Sequence, residues 1–136
     1  MRTIDTHKVN PANDTIDITV VDKPGSGGAN HAYFITGVDF EANPSDHAAL
    51  DFARVNDAEG MVILFQNGPI PEAGVNGVTH EALLAIIADR LQCFQAGPFA
   101  NEFNAVALQH VEAAQAALLS RTRSRMARGV EGTHQV

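Results

Sequence analysis

The chain has 136 residues, 45% of them hydrophobic and 18% charged, which fits a single folded domain with its own core and excludes a disordered chain. No apolar run nears the ~18 residues of a membrane span, and the polar opening MRTIDTHKVNPAND does not read as a signal peptide, so no membrane partner is expected. The net charge of −7 sets an acidic body that repels polymer phosphate and makes long nucleic acid a poor partner.

Residues 1–14, with Pro11 and many polar side chains, read as an arm or short lead-in. TIDITVV (15–21) alternates and is rich in β-branched residues, which predicts a strand. DKPGSGGAN (22–30) carries the Gly, Pro and Asn of a loose hairpin loop. HAYFITGVDF (31–40) predicts a second strand. Ser45 is placed to cap a short helix over DHAALDFARV. MVILFQ (61–66) reads as a buried third strand, ended by the turn-rich NGPIPEAGVNG.

The remainder is helical. In VTHEALLAIIADRLQCFQAG, Thr79 is the expected N-cap and Glu81 a first-turn charge that suits the helix dipole. Val78 and Leu83 fit a hydrophobic staple. Leu84, Ile87, Leu91 and Phe94 follow at helical spacing, and Gly97-Pro98 stops the helix. The single cysteine, Cys93, excludes an internal disulfide, fits a reducing cytoplasm, and near a helix C-terminus makes a poor nucleophile. A second helix runs from about Asn101 to Arg128, stopped by Gly129, with Phe103, Val106 or Ala107, Val111, Ala114 and Leu118 as one stripe. The expected fold class is α+β: a small antiparallel sheet in residues 1–75, then a helical hairpin in residues 76–136, one domain in all.

The second helix ends in RTRSRMARGVEGT (121–133). Residues 1–120 hold five Lys/Arg against fifteen Asp/Glu, a net of −10, whereas residues 121–136 hold four Arg against one Glu, a net of +3. Arg121 and Arg125 share a helix face that Arg128 extends, and guanidinium groups there can grip phosphate through paired hydrogen bonds. Cations in a last turn also simply complement the macrodipole. Four arginines with no lysine favour recognition, because a dipole complement would accept Lys. At the hairpin junction, the Phe94 ring and the Asn104 amide are what a purine or ribose pocket uses. The same residues also fit core packing and a helix start.

Asn104 and Arg121 are seventeen residues apart, about 25 Å of helix. One small ligand cannot touch both within a chain. A second copy with its long helix antiparallel would bring each chain's arginines to the partner's junction, giving two equivalent sites per dimer. Enzyme signatures are missing: His7, His31, His47, His80, His110 and His134 show no metal-ligand spacing, and neither glycine loop is followed by the Lys-Ser/Thr of a phosphate loop. No catalytic residue, metal or cofactor is therefore assigned. Asn76-Gly77, just before the first long helix, is positioned to offer backbone amides to an anion.

ANHAYFITG, FQNGPIPEAGVNGVTHEALLAIIADRL, the FQAGPFA connector and RTRSRMARGVEGT together resemble the phage Thoeris anti-defence sponge family, whose helical hairpin is shared with an anti-CBASS sponge. The resemblance covers roughly residues 28–136 and is most specific in the last sixty. It implies a non-enzymatic viral protein in the cytoplasm of an infected bacterium, one that sequesters cyclic nucleotide immune signals, including cyclic ADP-ribose isomers such as glycocyclic ADP-ribose. It further implies homo-oligomers, dimers that build into hexamers, with ligand pockets at subunit interfaces and separate pockets for cyclic oligonucleotides. By matching motif positions, Phe94, Asn104, Arg121 and Arg125 are the implied ligand-binding residues, with Arg128 and Asn76 as outlying members.

Two rival functions remain open to the sequence. One is an enzyme degrading the same cyclic nucleotides, with His31 and His80 brought together as acid and base. The other is a nucleic-acid-binding or scaffold protein using the arginine face, which the acidic body disfavours.

Overall fold

The computed structural model describes residues 1–25, 28–57, 60–129 and 133. Ser26 and Gly27 of the hairpin loop, residues 130–132 of the arginine-rich tail, and His134 lie outside the described residues.

Three antiparallel strands form the sheet, β1 (Arg2–Ile4), β2 (Asp17–Val20) and β3 (Tyr33–Thr36), in the order β1-β2-β3. The register pairs Ile4 with Ile18 and Ile18 with Ile35, so the three isoleucines form a row across one face. A second row, Arg2–Val20–Tyr33, lies on the same face. Ile16, Ile18 and Val20 are buried there with Ile4, Ala82 and Ala85, while Phe34 on the opposite face is 62% exposed. The sheet is thus one-sided, as its alternation predicts.

The lead-in is more ordered than its composition implies. It supplies β1, an edge strand, and then the short helix α1 (Pro11–Asp14). His7, Asn10 and Asn13 are buried, and His7 Nε2 lies 2.7 Å from the Ile16 carbonyl. The second strand is shorter than expected: after Gly37 the chain leaves the sheet, and Phe40–Ala42 is a 3₁₀ turn. Gly37 has φ +80°, and a Cβ there would sit 1.6 Å from the Thr15 carbonyl oxygen, so only glycine lets β3 exit so close to β2.

Helix α2 (Asp46–Val55) forms where DHAALDFARV predicts it, but Ser45 does not cap it with its side chain. Its backbone amide donates to Asn43 Oδ1, and its hydroxyl accepts from Asn67 Nδ2. The expected third strand over 61–66 is not there. Met61, Val62, Ile63 and Phe65 are exposed, and the segment makes only an isolated parallel bridge, Phe65 to Val78. An apolar run has no strand character without an edge to pair with, and among the described residues this one finds its backbone bridge only at Val78, on the approach to the next long helix. The short helix α3 (Ile70–Ala73) follows.

The hairpin consists of α4 (His80–Gln95) and α5 (Glu102–Ala127). The Thr79 hydroxyl accepts from the Ala82 amide, and Asn101 Oδ1 accepts from the Asn104 amide, so both helices begin on side-chain caps. Gly129, at φ +69°, closes α5. The buried face of α4 is small: Ala82, Ala85 and Ala88 lie against the sheet side, whereas Ile87 is 45% exposed. The Leu84–Ile87–Leu91–Phe94 stripe is therefore not the deepest face of this helix.

Candidate ligand-binding site

The arginine end of the hairpin is built by antiparallel packing, which sets the last turns of α5 beside the first turn of α4. Arg121 Nη2 lies 3.3 Å from Glu81 Oε1; the Arg121 side chain is 54% exposed and that of Glu81 only 4%. The other carboxylate oxygen, Oε2, accepts from Asn13 Nδ2 at 3.1 Å. Asn13 Oδ1 in turn accepts from the Thr79 hydroxyl. Arg125 follows one turn later and donates from Nη2 to the Thr133 carbonyl at 3.2 Å. Arg128 is the C-cap residue of α5. Arg121, Arg125 and Arg128 are thus gathered at one end of the hairpin.

The junction lies at the other end. Phe94 is half-buried near the end of α4, with the Arg90 guanidinium carbon 5.9 Å from its ring centroid, a cation–π contact. Asn104 is half-buried in the first turn of α5; its backbone amide is held by the cap, while its side chain has no hydrogen-bond partner among the described residues. Phe99 is 61% exposed and Phe103 80% exposed at the same junction. Core packing within the chain does not account for Phe103.

Because α5 is continuous from Glu102 to Ala127, the separation of Asn104 from Arg121 stays at about 25 Å. Phe94 and Asn104 share one end, Arg121, Arg125 and Arg128 the other. The two groups lie at opposite ends of the hairpin. Asn76 belongs to neither. It is fully buried, its amide donates to Gln66 Oε1, and its side chain bonds the Asn67 amide and carbonyl. Its amide is therefore taken up by the Gln66 side chain at 3.0 Å rather than offered to an anion. A Cβ on Gly77 would meet Phe65 C at 2.3 Å, so this glycine serves close backbone approach. His31 lies beside Gly25 with its amide bonded to Asp22, while the His80 ring packs on Phe65 at 5.4 Å. Among the described residues no hydrogen bond joins the two, and no cluster of His, Cys, Asp or Glu has the make-up of a metal site.

Between the two ends of the hairpin, the sheet is tied to α4. Arg2 donates to both oxygens of Asp89, at 2.6 and 2.8 Å, and the Tyr33 hydroxyl donates to Asp89 Oδ2 at 2.9 Å. The Arg2–Val20–Tyr33 row explains the convergence, since the register points both polar ends at the same turn of α4. Burial opposes the Asp89 charge, but the hydrogen bonds from Arg2 and Tyr33 outweigh it and hold the carboxyl below its ordinary value. Burial, then the bond to Asp89, pushes the Tyr33 hydroxyl up to about 12. Arg2 Nη2 also lies 3.7 Å from Cys93 Sγ.

Asn13 and the pairing of Glu81 with Arg121 escaped the sequence reading. Glu81 was legible as a first-turn charge, but its partners lie 68 and 40 residues away, and no local pattern reports such contacts.

The Acb2/Tad1 hairpin-domain family matches residues 56–123, a stretch that holds α4 and most of α5, and the chain belongs to that family. Over 83 residues the chain is 48% identical to a protein named Thoeris anti-defense 1 from Bacillus phage SBSphiJ7, the match covering 60% of this chain and 58% of that relative. The chain therefore spans little more than half of that relative's length. Among the described residues, no helix is long and apolar enough to cross a membrane.

Proposed function

We propose that the protein is a phage anti-defence protein that acts inside an infected bacterium by binding and sequestering a cyclic nucleotide immune signal of the cyclic ADP-ribose class. The name of the relative supports the anti-defence role, and family membership supports the hairpin as the binding element. The observation that carries the reading is the uninterrupted helix α5, which keeps Asn104, at the junction with Phe94 of α4, about 25 Å from Arg121 at its other end. Each half-site supplies what the other lacks. Phe94 offers a stacking face and Asn104 an unengaged amide; Arg121 and Arg125, with Arg128 beyond them, offer guanidinium groups to phosphate. Two copies with antiparallel α5 helices complete two sites.

No chemical step is needed for such a role. Sequestration depends on affinity and abundance, and nothing has to be bound more tightly in a transition state than in the ground state. The exposed Phe99, Phe103 and Val106 give the junction and the start of α5 an apolar surface for the second copy. Further assembly into hexamers, and pockets for cyclic oligonucleotides, belong to the same reading.

Glycocyclic ADP-ribose titrated by calorimetry tests it. Arg121→Ala and Phe94→Ala are each expected to weaken binding by about a hundredfold, the scale of two lost charge-assisted bonds or one lost stacking face, while native mass spectrometry finds assembly unchanged. Ligand recovered after denaturation is expected intact. Normal binding by both variants, or recovery of a ring-opened product, overturns the proposal.

A further inference from the structure

We propose that Glu81 is a positioning residue for the pocket arginine Arg121, and that it transmits the folded state of the N-terminal segment to the arginine half-site. This rests on the reading of Arg121 as a ligand-binding residue. A carboxylate that merely complements a helix dipole does so from solvent, and nothing requires its burial. Glu81 is instead 3% exposed, and its two oxygens are divided between elements: Oε1 to Arg121 of α5 and Oε2 to Asn13 of α1. Asn13 is itself pinned, by Asn10 Oδ1 at 2.7 Å and by the Thr79 hydroxyl. The carboxylate that meets Arg121 is therefore held through Asn13, which is itself fixed by Asn10 and Thr79.

The half-exposed guanidinium belongs to a long side chain on a helix surface, which otherwise samples many rotamers. Anchoring Nη2 on a buried oxygen orients the planar group and leaves its other N–H donors to face a phosphate. Ligand then meets an arginine already ordered, so less freedom is lost on binding. The carboxylate also offsets part of the arginine's charge, which acts the other way. With the guanidinium planar, permanently charged and more than half exposed, orientation is the larger effect.

The test is a cycle of Kd values for glycocyclic ADP-ribose across the parent, Glu81→Gln, Arg121→Ala and the double variant, with melting temperature and assembly followed in each. Glu81→Gln retains an acceptor for Asn13 and is expected to weaken binding about tenfold, the usual effect of removing a group that orients a ligating side chain. In the Arg121→Ala background the same exchange is expected to change nothing. Equal Kd for the parent and a folded Glu81→Gln protein overturns the proposal. So does an equal loss in both backgrounds, which marks a structural role alone. If Glu81→Gln does not fold, Asn13→Ala, which leaves the carboxylate but drops one of its partners, carries the same cycle with a smaller expected loss. Arg121→Ala binding like the parent removes the pocket reading itself and is distinct from either failure.

Discussion

Arg2, Tyr33 and Asp89 meet because a three-strand register sets Arg2 and Tyr33 on either side of Val20, facing one turn of α4. Tyr33 is the one tyrosine and the chain has no tryptophan, so tyrosinate absorbance reports this site alone. Its titration midpoint is expected at about 12 in the folded protein and near 10 after denaturation. A proton held more tightly by the folded state stabilises it below pH ~10, and that contribution disappears as pH rises towards the folded value. Asp89 runs the opposite way. Its lowered pKa contributes stability above the unfolded carboxylate value of ~4, and that stability is lost as pH falls through the lower folded value. Asp89→Asn is expected to bring the Tyr33 midpoint down; a midpoint that does not move shows that the bond to Asp89 contributes nothing. Gly77→Ala makes a backbone claim at the same scale. With its Cβ driven against Phe65, it is expected to destabilise by about 2 kcal/mol in urea unfolding, and a neutral result would mean that the 65–78 bridge is looser than described.

The elements differ in how much of their stability is local. Helix α4 starts on Thr79, whose hydroxyl caps Ala82 and reaches Asn13. Thr79→Ala is therefore expected to cost more than the ~1 kcal/mol of an ordinary cap, measured as a shift in the urea midpoint at unchanged slope. The cap of α4 and the stops of both long helices were legible from Thr79, Gly97-Pro98 and Gly129, because capping is chemistry of a few neighbouring residues. So were β2 and α2. What was not legible depends on distant partners. β1 is three residues long and exists only because β2 offers an edge. Residues 61–66 looked like a strand by composition, yet among the described residues no strand edge is set beside them. Ser45 looked like a cap, but Asn43 and Asn67 take its amide and hydroxyl. For the candidate site, the arginine row could be read from spacing along one helix and the nearness of Phe94 and Asn104 from the tight connector between two, whereas the buried Glu81–Asn13 contact required the fold.

At the scale of the whole molecule, α5 is a helix of 26 residues in which only Thr122 is buried. Its single-chain partner is α4, and the Phe103 and Val106 side chains at its start are exposed. In the proposed dimer, a second copy laid antiparallel along α5 would cover that surface and close both half-sites in one step. Dimerisation and ligand binding are accordingly expected to be linked, so that sedimentation at low protein concentration shows ligand shifting the population towards the assembled form. A monomer that binds ligand as tightly as the assembled protein has no place in this arrangement.

The shared site is tested most directly by complementation between two defective copies. Phe94→Ala chains and Arg121→Ala chains, each expected to bind about a hundredfold more weakly alone, are unfolded, mixed and refolded together, and glycocyclic ADP-ribose is titrated into the mixture. In a mixed dimer one site joins the intact Phe94 of one copy to the intact Arg121 of the other, while the second site loses both. Binding is expected to return at parental affinity with one ligand per mixed dimer. A mixture that stays silent while native mass spectrometry shows mixed dimers would place both residues in a site within one chain, and would contradict the account.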